Sequence, residues 1–396
     1  MTISVAHITT VDLSLKFLLF NQLRSLQDAG YEITGISAPG PYADELAGAD
    51  IRHIAVPMRR EIAPLADLVS FMRLYKVLRR EKFTIVHTHN PKPGLLGQAA
   101  ARMAGVPVIV NTIHGYYIHD NMLPLQMRFF VFLEKLAAAF SDHILSQNSE
   151  DIKLALTNGI CNFEKISLLG NGIDISTFSA SAVPQAAIER QRANLALNSD
   201  TRVVGFVGRL AAKRKGFRDF LAAGQKLLQR MPEDVRFLII GEPDAGKADA
   251  VLPQVAREYG IFDRCIFLGK RPNVELPSLY ALMDVLVLPS LFEGVPRALM
   301  EATAMQVPIV ATDVKGNREV VESGYNGFLV PLGDTDALTS AIQTVLGNPE
   351  KARQMGAAGR RIAVERFDER LVFEKVKATY ARLLEKKGLT APASHV

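Results

Sequence analysis

The chain has little cysteine: two residues in 396, Cys161 and Cys265, far apart in sequence. That spacing gives neither a disulfide framework nor a metal-ligand pattern, and it is compatible with a reducing compartment. Long apolar runs are also missing. The nearest approach to a membrane span, Leu123 to Phe140, is interrupted by Arg128, Glu134 and Lys135, so the usual length criterion is not met. At the N-terminus, MTISVAHITTVDLSLKFLLF has no basic region before its apolar residues and is broken by Asp12 and Lys16. It reads as a first strand and helix rather than a secretion signal. No G-x-x-x-x-G-K-[ST] loop and no G-x-G-x-x-G turn follows a strand, so an ATP-hydrolysing or nicotinamide-dependent protein would lack its phosphate loop. A formal charge of +5 is mild for this length. It fits an anionic ligand or membrane surface better than sequence-specific DNA binding, and no nucleic-acid module is visible.

What is present is regular. Short β-branched runs (ISVAHIT, EITGIS, IRHIAV, TIVHTH, VPVIVNTI, DHILSQ, KISLLG) alternate with helical patterns in the first half. RVVGFVG, VRFLIIG, RCIFLG, DVLVLPS, VPIVAT and NGFLVP do so in the second. This is the pattern of parallel sheets covered on both faces, and it predicts an α/β protein of two Rossmann-like doubly wound domains. The Ala-, Ser- and Gln-rich stretch from Ser179 to Asp200 reads as the linker. It divides the chain into domain 1–185 and domain 186–367, and the helix expected at about 368–388 would return to the first. In such sheets ligands bind beyond the carboxyl ends of the strands, so a central cleft between the domains is the expected active site.

Two strand ends carry charge in a suggestive arrangement. RVVGFVG runs into GRLAAKRKGF, where Gly208 makes a turn that delivers Arg209, Lys213, Arg214 and Lys215 at a helix start. Arg offers a planar fork to phosphate oxygens, Lys a compact charge, and the helix end free N–H groups; a solvated basic turn is the plain alternative. The second end is FEGVPRALMEA, with Glu293 in the exit loop, Pro296 suited to a first helical turn, and Glu301 five residues on. Both acids could be a cap and a surface charge. A carboxylate repels phosphate but accepts well from sugar hydroxyls, so Glu301 suits a ribose and Glu293 a transferred sugar, with Gly294 and Val295 supplying backbone N–H groups.

The combination of GRL with KG, EGVPRALMEA and VPIVATDVKGNREVVESGYNGFLVPLGD closely resembles the retaining nucleotide-sugar glycosyltransferases of the GT-B fold, glycosyltransferase family 4. The resemblance covers essentially the full chain, and its most specific element is the E-x7-E glutamate pair. It implies that Arg209 and Lys215 hold a diphosphate, with Lys213 as a substitute because the basic turn is one residue longer than usual. It further implies that Glu293 and its neighbouring backbone hold the sugar, that Glu301 holds the ribose, and that His114, after the strand NTIHG, meets the reacting sugar. No cofactor or obligatory metal is implied, since a basic pair and a helix N-terminus can stabilise a departing diphosphate. Base contacts are expected near Lys270 and Arg271. The family's glycine-rich first turn is replaced by ITTVDLSLKF, leaving Ser14 and Lys16 as its substitutes.

The acceptor side is read from the first half. His87 and His89 lie two apart on one strand face, with no third metal ligand apparent, and are expected to be structural or acceptor-facing. Arg59, Arg60, Arg79 and Arg80 with Phe129, Phe130 and Phe132 could meet an anionic membrane or a polyprenyl-diphosphate-linked glycan. The helix around Leu68, Phe71, Met72, Tyr75 and Leu78 could equally be an ordinary amphipathic one. HTHNPKPGLLGQAAARMAGVP resembles bacterial members that build lipid-linked oligosaccharides and surface polysaccharides. The expected function is therefore transfer of a hexosyl or N-acetylhexosaminyl group from a UDP-sugar, in the cytoplasm at the inner face of the plasma membrane. The alternatives are a UDP-sugar 2-epimerase and a non-catalytic two-domain sugar-binding protein.

Overall fold

All thirteen expected strands form. The computed structural model describes residues 2–392 apart from 60, 90, 119–121, 213, 232–233 and 245–248. The first sheet holds β1 (Ile3–Val11), β2 (Tyr31–Ala38), β3 (Arg52–Ala55), β4 (Ile85–His89), β5 (Val108–Ile113), β6 (His143–Ser146) and β7 (Ile166–Leu168), in the order β3-β2-β1-β4-β5-β6-β7. The second holds β8 (Arg202–Val207), β9 (Val235–Ile240), β10 (Cys265–Gly269), β11 (Val285–Leu288), β12 (Ile309–Thr312) and β13 (Gly327–Val330), in the order β10-β9-β8-β11-β12-β13. Every pairing within them is parallel. Each sheet is covered on both faces, which is why its strands read as near-continuous apolar runs. Along β1, Ile3 and Val5 enter one core cluster while Ala6 and Ile8 enter another.

The chain divides into two compact units, residues 1–170 with 370–396, and residues 171–369. The boundary therefore falls at Gly170/Asn171, earlier than the linker composition indicates. Ile173, Ile175 and Phe178 are buried in a core cluster of the second unit. At about 1.5–3 kcal/mol for each fully buried apolar side chain, such burial outweighs a loop-like composition. Helix Gln185–Asn194, which buries no residue, lies within the supposed linker. The last helix, Glu369–Lys386, packs on the core of the first unit through Val372, Val376, Tyr380, Leu383 and Leu384.

Helix Pro64–Glu81 departs from the expected stripe. Its buried face is Ser70, Leu74 and Leu78, while Leu65, Leu68, Val69 and Met72 face outward. These four recur at i, i+3, i+4 and i+7, a helical apolar stripe turned to solvent rather than to the core. Helix Pro124–Phe140 does the same with Leu125, Phe129, Phe132 and Leu136. Helix Pro91–Ala104 packs against both. No helix among the described residues is long and apolar enough to cross a membrane.

Candidate active site

In the second unit β8 and β11 are neighbours, with Val204 opposite Val285 and Gly205 opposite Leu286. Their exit loops, GRLAAKRKG and PSLFEG, therefore meet at one end of the sheet. Gly216 has φ +62°, and a Cβ there would lie 1.8 Å from Pro289 O, so the lysine loop can close on its neighbour only without a side chain at this position. Leu291 N–H donates to Arg214 O at 3.2 Å, and the Arg214 guanidinium lies 5.1 Å from the Phe292 ring centroid. The consequence is a direct ion pair, Lys215 Nζ to Glu293 Oε1 at 2.6 Å, with both side chains largely buried. Ser290 Oγ also donates to Oε1, at 2.7 Å. Glu293 Oε2 carries no partner among the described residues. Sequence reasoning gave the lysine to phosphate and the glutamate to sugar; the fold places them in contact, so an incoming ligand meets them as one unit.

Helix Arg297–Ala304 begins one residue after Pro296, which is its N-cap rather than its first-turn residue. The Val295 carbonyl accepts from Asn171 Nδ2 at 3.1 Å. A Cβ on Gly316 would lie 2.0 Å from Gly294 O, so that backbone is clasped from the far side. Glu301 is not a surface acid: only 5% is exposed. Tyr280 Oη donates to its Oε2 at 2.9 Å, and Arg297 Nε lies 3.6 Å from Oε1. Burial, and then the Glu301 charge, push the Tyr280 phenol well above its ordinary range, so it stays a hydrogen-bond donor. Ser290, Tyr280 and Arg297 escaped the sequence reading; Arg297 alone had a signal, its i,i+4 spacing to Glu301.

Arg209 pairs with Asp244. Gly208 sits beside the Lys215 side chain, and a Cβ there would be 3.7 Å from its Cδ. At the end of β10, Lys270 N–H donates to Glu242 Oε1 at 3.3 Å, and Arg271 is 3.6 Å from Glu275. Lys213 lies outside the described residues. The Asp-x-Asp triplet Asp334-Thr335-Asp336 is committed to a helix start. Asp334 accepts from Ala337 N–H at 2.8 Å, and Asp336 pairs with Lys226 and Arg230 at 2.8 and 2.9 Å.

In the first unit, the β1–β4 register sets His7 opposite His87, and the strand period brings His89 to the same face. His89 stacks on both His7 and His87, the three ring centroids lie 4.4 to 5.2 Å apart, and ring nitrogens of all three lie within 4.8 Å of one another. A third histidine thus stands beside the pair that sequence spacing left as two. His89 is buried with both nitrogens bonded, Nε2 to His7 Nδ1 at 3.0 Å and Nδ1 to His114 Nε2 at 3.1 Å. It therefore supports His114 from behind rather than facing an acceptor. His114 is half-buried at the end of β5; burial lowers its pKa to about 4, against a hydrogen bond with Gln147 that raises it.

A cavity of about 750 Å³ opens beside this strand end, lined by Ser14, Leu95, Tyr117, Phe129, Phe130 and Glu134 among others. Glu134 is half-buried, and burial followed by the Asp151 charge raises its pKa to about 7. Lys16 is committed to Glu45 at 2.8 Å and stacks 4.3 Å from the Phe20 ring centroid, while Ser14 is buried. The first turn is held instead by Asp12, which accepts from Leu13 and Tyr42 N–H, both at 2.8 Å. Arg59, Arg79 and Arg80 are exposed, with Arg80 paired to Glu81 at 2.7 Å. Arg60 lies outside the described residues.

Two sheets with these strand ends place the chain among glycosyltransferases, and the comparisons agree. The model for glycosyl transferases group 1 matches residues 187–362 and that for glycosyl transferase 4-like proteins matches residues 7–148. An Escherichia coli UDP-Gal:alpha-D-GlcNAc-diphosphoundecaprenol alpha-1,3-galactosyltransferase is 30% identical over 87% of this chain and 88% of its own. Staphylococcus aureus CapM, a capsular polysaccharide biosynthesis glycosyltransferase, is 26% identical over 96% and 97%. The structure of Anabaena HepE in complex with UDP-glucose superposes with a TM-score of 0.80, at 21% identity over 96% and 99%. The chain belongs to the group 1 glycosyltransferases, glycosyltransferase family 4 of the GT-B fold. It is a nucleotide-sugar-dependent glycosyltransferase of bacterial glycan and polysaccharide synthesis. Neither an epimerase nor a non-catalytic binding protein accords with that membership.

Proposed function

We propose that the protein transfers a hexosyl or N-acetylhexosaminyl group, with retention, from a UDP-sugar to a sugar carried on a polyprenyl diphosphate, working as a peripheral protein at the inner face of the plasma membrane. The observation that carries the acceptor class is the apolar side of the first unit. A large cavity lined by Leu95, Tyr117, Phe129 and Phe130 is bordered by two helices whose apolar stripes face solvent. Surfaces of this kind mark lipid or protein contact, and Arg59, Arg79, Arg80 and Arg128 supply positive charge for an anionic leaflet. The name of the Escherichia coli relative, which specifies a diphosphoundecaprenol-linked GlcNAc, supports the same class.

In this reading Arg209 and Lys215 leave Asp244 and Glu293 to take the diphosphate, and no metal is required. Glu293, freed of its lysine, accepts from hydroxyls of the sugar. Glu301, held by Tyr280, accepts from the ribose. His114 meets the reacting sugar, and the acceptor hydroxyl attacks on the face from which the diphosphate departs. The UDP complexes of the structural neighbours support a uridine nucleotide.

The test has two arms. A panel of nucleotide sugars is screened by thermal shift, where a ligand at 100 times its Kd adds about 2.7 kcal/mol; a UDP-sugar should stabilise most, and a clear preference for GDP- or ADP-sugars overturns the donor. Flotation with anionic and neutral vesicles is compared for wild type and a Phe129→Ser/Phe132→Ser variant. Wild type should float with anionic vesicles and the variant should not; no flotation of either removes the membrane from the proposal.

A further inference from the structure

The 750 Å³ cavity of the first unit has few charged groups. Among the described residues, four charged side chains line it: Glu61, Asp67, Lys92 and Glu134. Lys92 Nζ lies 2.7 Å from Asp67 Oδ1 and also donates to the Glu61 carbonyl, while Asp67 Oδ2 accepts from Ala63 N–H at 3.0 Å. The one cation of the lining is therefore held by protein. Glu134 differs, making no hydrogen bond or ion pair with a described residue. On its helix Phe130 stands four residues before it and Ala137 three after, so both share its face and line the same cavity. The Tyr117 ring packs against Phe130, with centroids 5.4 Å apart at 61°.

An acid without a partner in an apolar wall destabilises the fold that holds it. Burial, and then the Asp151 charge, bring Glu134 to titrate near 7. Asp151 accepts from Tyr116 N–H at 3.0 Å and Asn148 Nδ2 at 2.7 Å, so it gives Glu134 repulsion and no hydrogen bond. A group kept against stability in a cavity is the pattern of a ligand contact.

The proposed acceptor has a diphosphate, a tail and a sugar, and the cavity sorts them. A diphosphate would meet three carboxyl groups around one lysine already paired, and like charges repel at close range. A prenyl tail would strip water from Glu134 and return no hydrogen bond. The tail has a better surface in the exposed apolar stripes of helices Pro64–Glu81 and Pro124–Phe140. A sugar supplies what the wall lacks: hydroxyls that donate to a carboxylate, and a C–H face that packs on aromatic rings.

We propose that Glu134 is an acceptor-binding residue: the cavity takes the acceptor's sugar, with Glu134 accepting from its hydroxyl or amide N–H and Tyr117 and Phe130 packing on its face, while the diphosphate and tail stay outside. This names the occupant of the cavity and rests on the transferase reading above.

The chain has no tryptophan, so Phe130→Trp sets a single fluorophore in the cavity wall. Undecyl diphosphates bearing glucose, galactose or N-acetylglucosamine are titrated against it at pH 8, beside undecyl diphosphate without a sugar. At least one sugar-bearing probe should shift the emission saturably, with a Kd about tenfold or more below that of the sugar-free probe. In the same background Glu134→Gln and Glu134→Leu should weaken that probe about tenfold, Leu the more, as expected for loss of a hydrogen bond to a charged group. Both should hold Tm at or above the parent at pH 8, whereas loss of a residue that only supports the fold would lower it. With a verified acceptor, the two substitutions in otherwise wild-type protein should raise the acceptor KM about tenfold and leave the donor KM within about twofold. Equal Kd for sugar-bearing and sugar-free probes, no emission change with any sugar, or an unchanged Kd in both Glu134 variants overturns the proposal. Free methyl glycosides that bind as tightly as the lipid-linked probes would overturn the lipid-linked acceptor and leave Glu134 in its role.

Discussion

The two units share a topology and differ in how they treat polar groups at their strand ends. The second brings opposite charges together, Lys215 with Glu293, Arg209 with Asp244 and Arg297 with Glu301, inside or at the edge of a buried site. The first uses neutral groups: histidines stripped of charge by burial, beside a largely apolar cavity. A charged site can release its lysine to a diphosphate and keep a carboxylate for hydroxyls. A neutral, apolar one suits a ligand whose greasy part must leave water. The same scaffold thus serves two solubilities, because the chemistry lies in the loops and strand ends rather than in the sheet.

The comparison breaks most sharply at Glu293. Removing one partner of a buried ion pair leaves the other uncompensated, and losing a preorganised transition-state contact costs about 100- to 1000-fold in kcat. Steady-state kinetics of Glu293→Ala should show that loss, with the larger change in kcat rather than in the donor KM. Wild-type kcat would mean that the Lys215 pair only closes the loop. A smaller effect belongs to Glu301→Ala, which should raise the donor KM about 10- to 100-fold, as expected for hydrogen bonds to a charged group worth about 1.5–3 kcal/mol. An unchanged KM would move the ribose elsewhere.

The weakest effect lies in the first unit and concerns stability. Glu134 titrates near 7 in the folded protein against 4.5 ordinarily, so between those values the folded state holds the proton that the unfolded state has lost. Stability from this group is therefore fully present below about pH 4.5 and falls as pH rises to 7. Glu134→Gln should flatten that part of a Tm-against-pH curve and raise Tm above pH 7. Parallel curves for variant and wild type would place the carboxylate in contact with water.

Much of this was legible beforehand. Every strand was marked by its β-branched run, and EGVPRALMEA carried the family because a glutamate pair at fixed spacing across a turn is rare by chance. Three things were not. The Ile173 to Phe178 segment read as the end of the first domain and belongs to the second, since only the core decides which side of a boundary three apolar residues join. Leu68 and Met72 fit a buried stripe equally well facing outward, because helical period gives a face but not its direction. His7 stood unremarked in ISVAHIT, some eighty residues from His87, and only strand register made them neighbours.

The sequence by itself determined two parallel sheets, the family and the identity of the acids and bases at the strand ends, since local pattern and fixed motif spacing survive without a fold. The pairing of Lys215 with Glu293, the burial of Glu301 under Tyr280, and the hydrogen-bonded chain from Tyr380 through His7 and His89 to His114 were decided by tertiary structure alone. Each joins residues from 21 to 373 positions apart, and contacts over such distances exist only once parallel strands have set their register and the last helix has closed on the sheet.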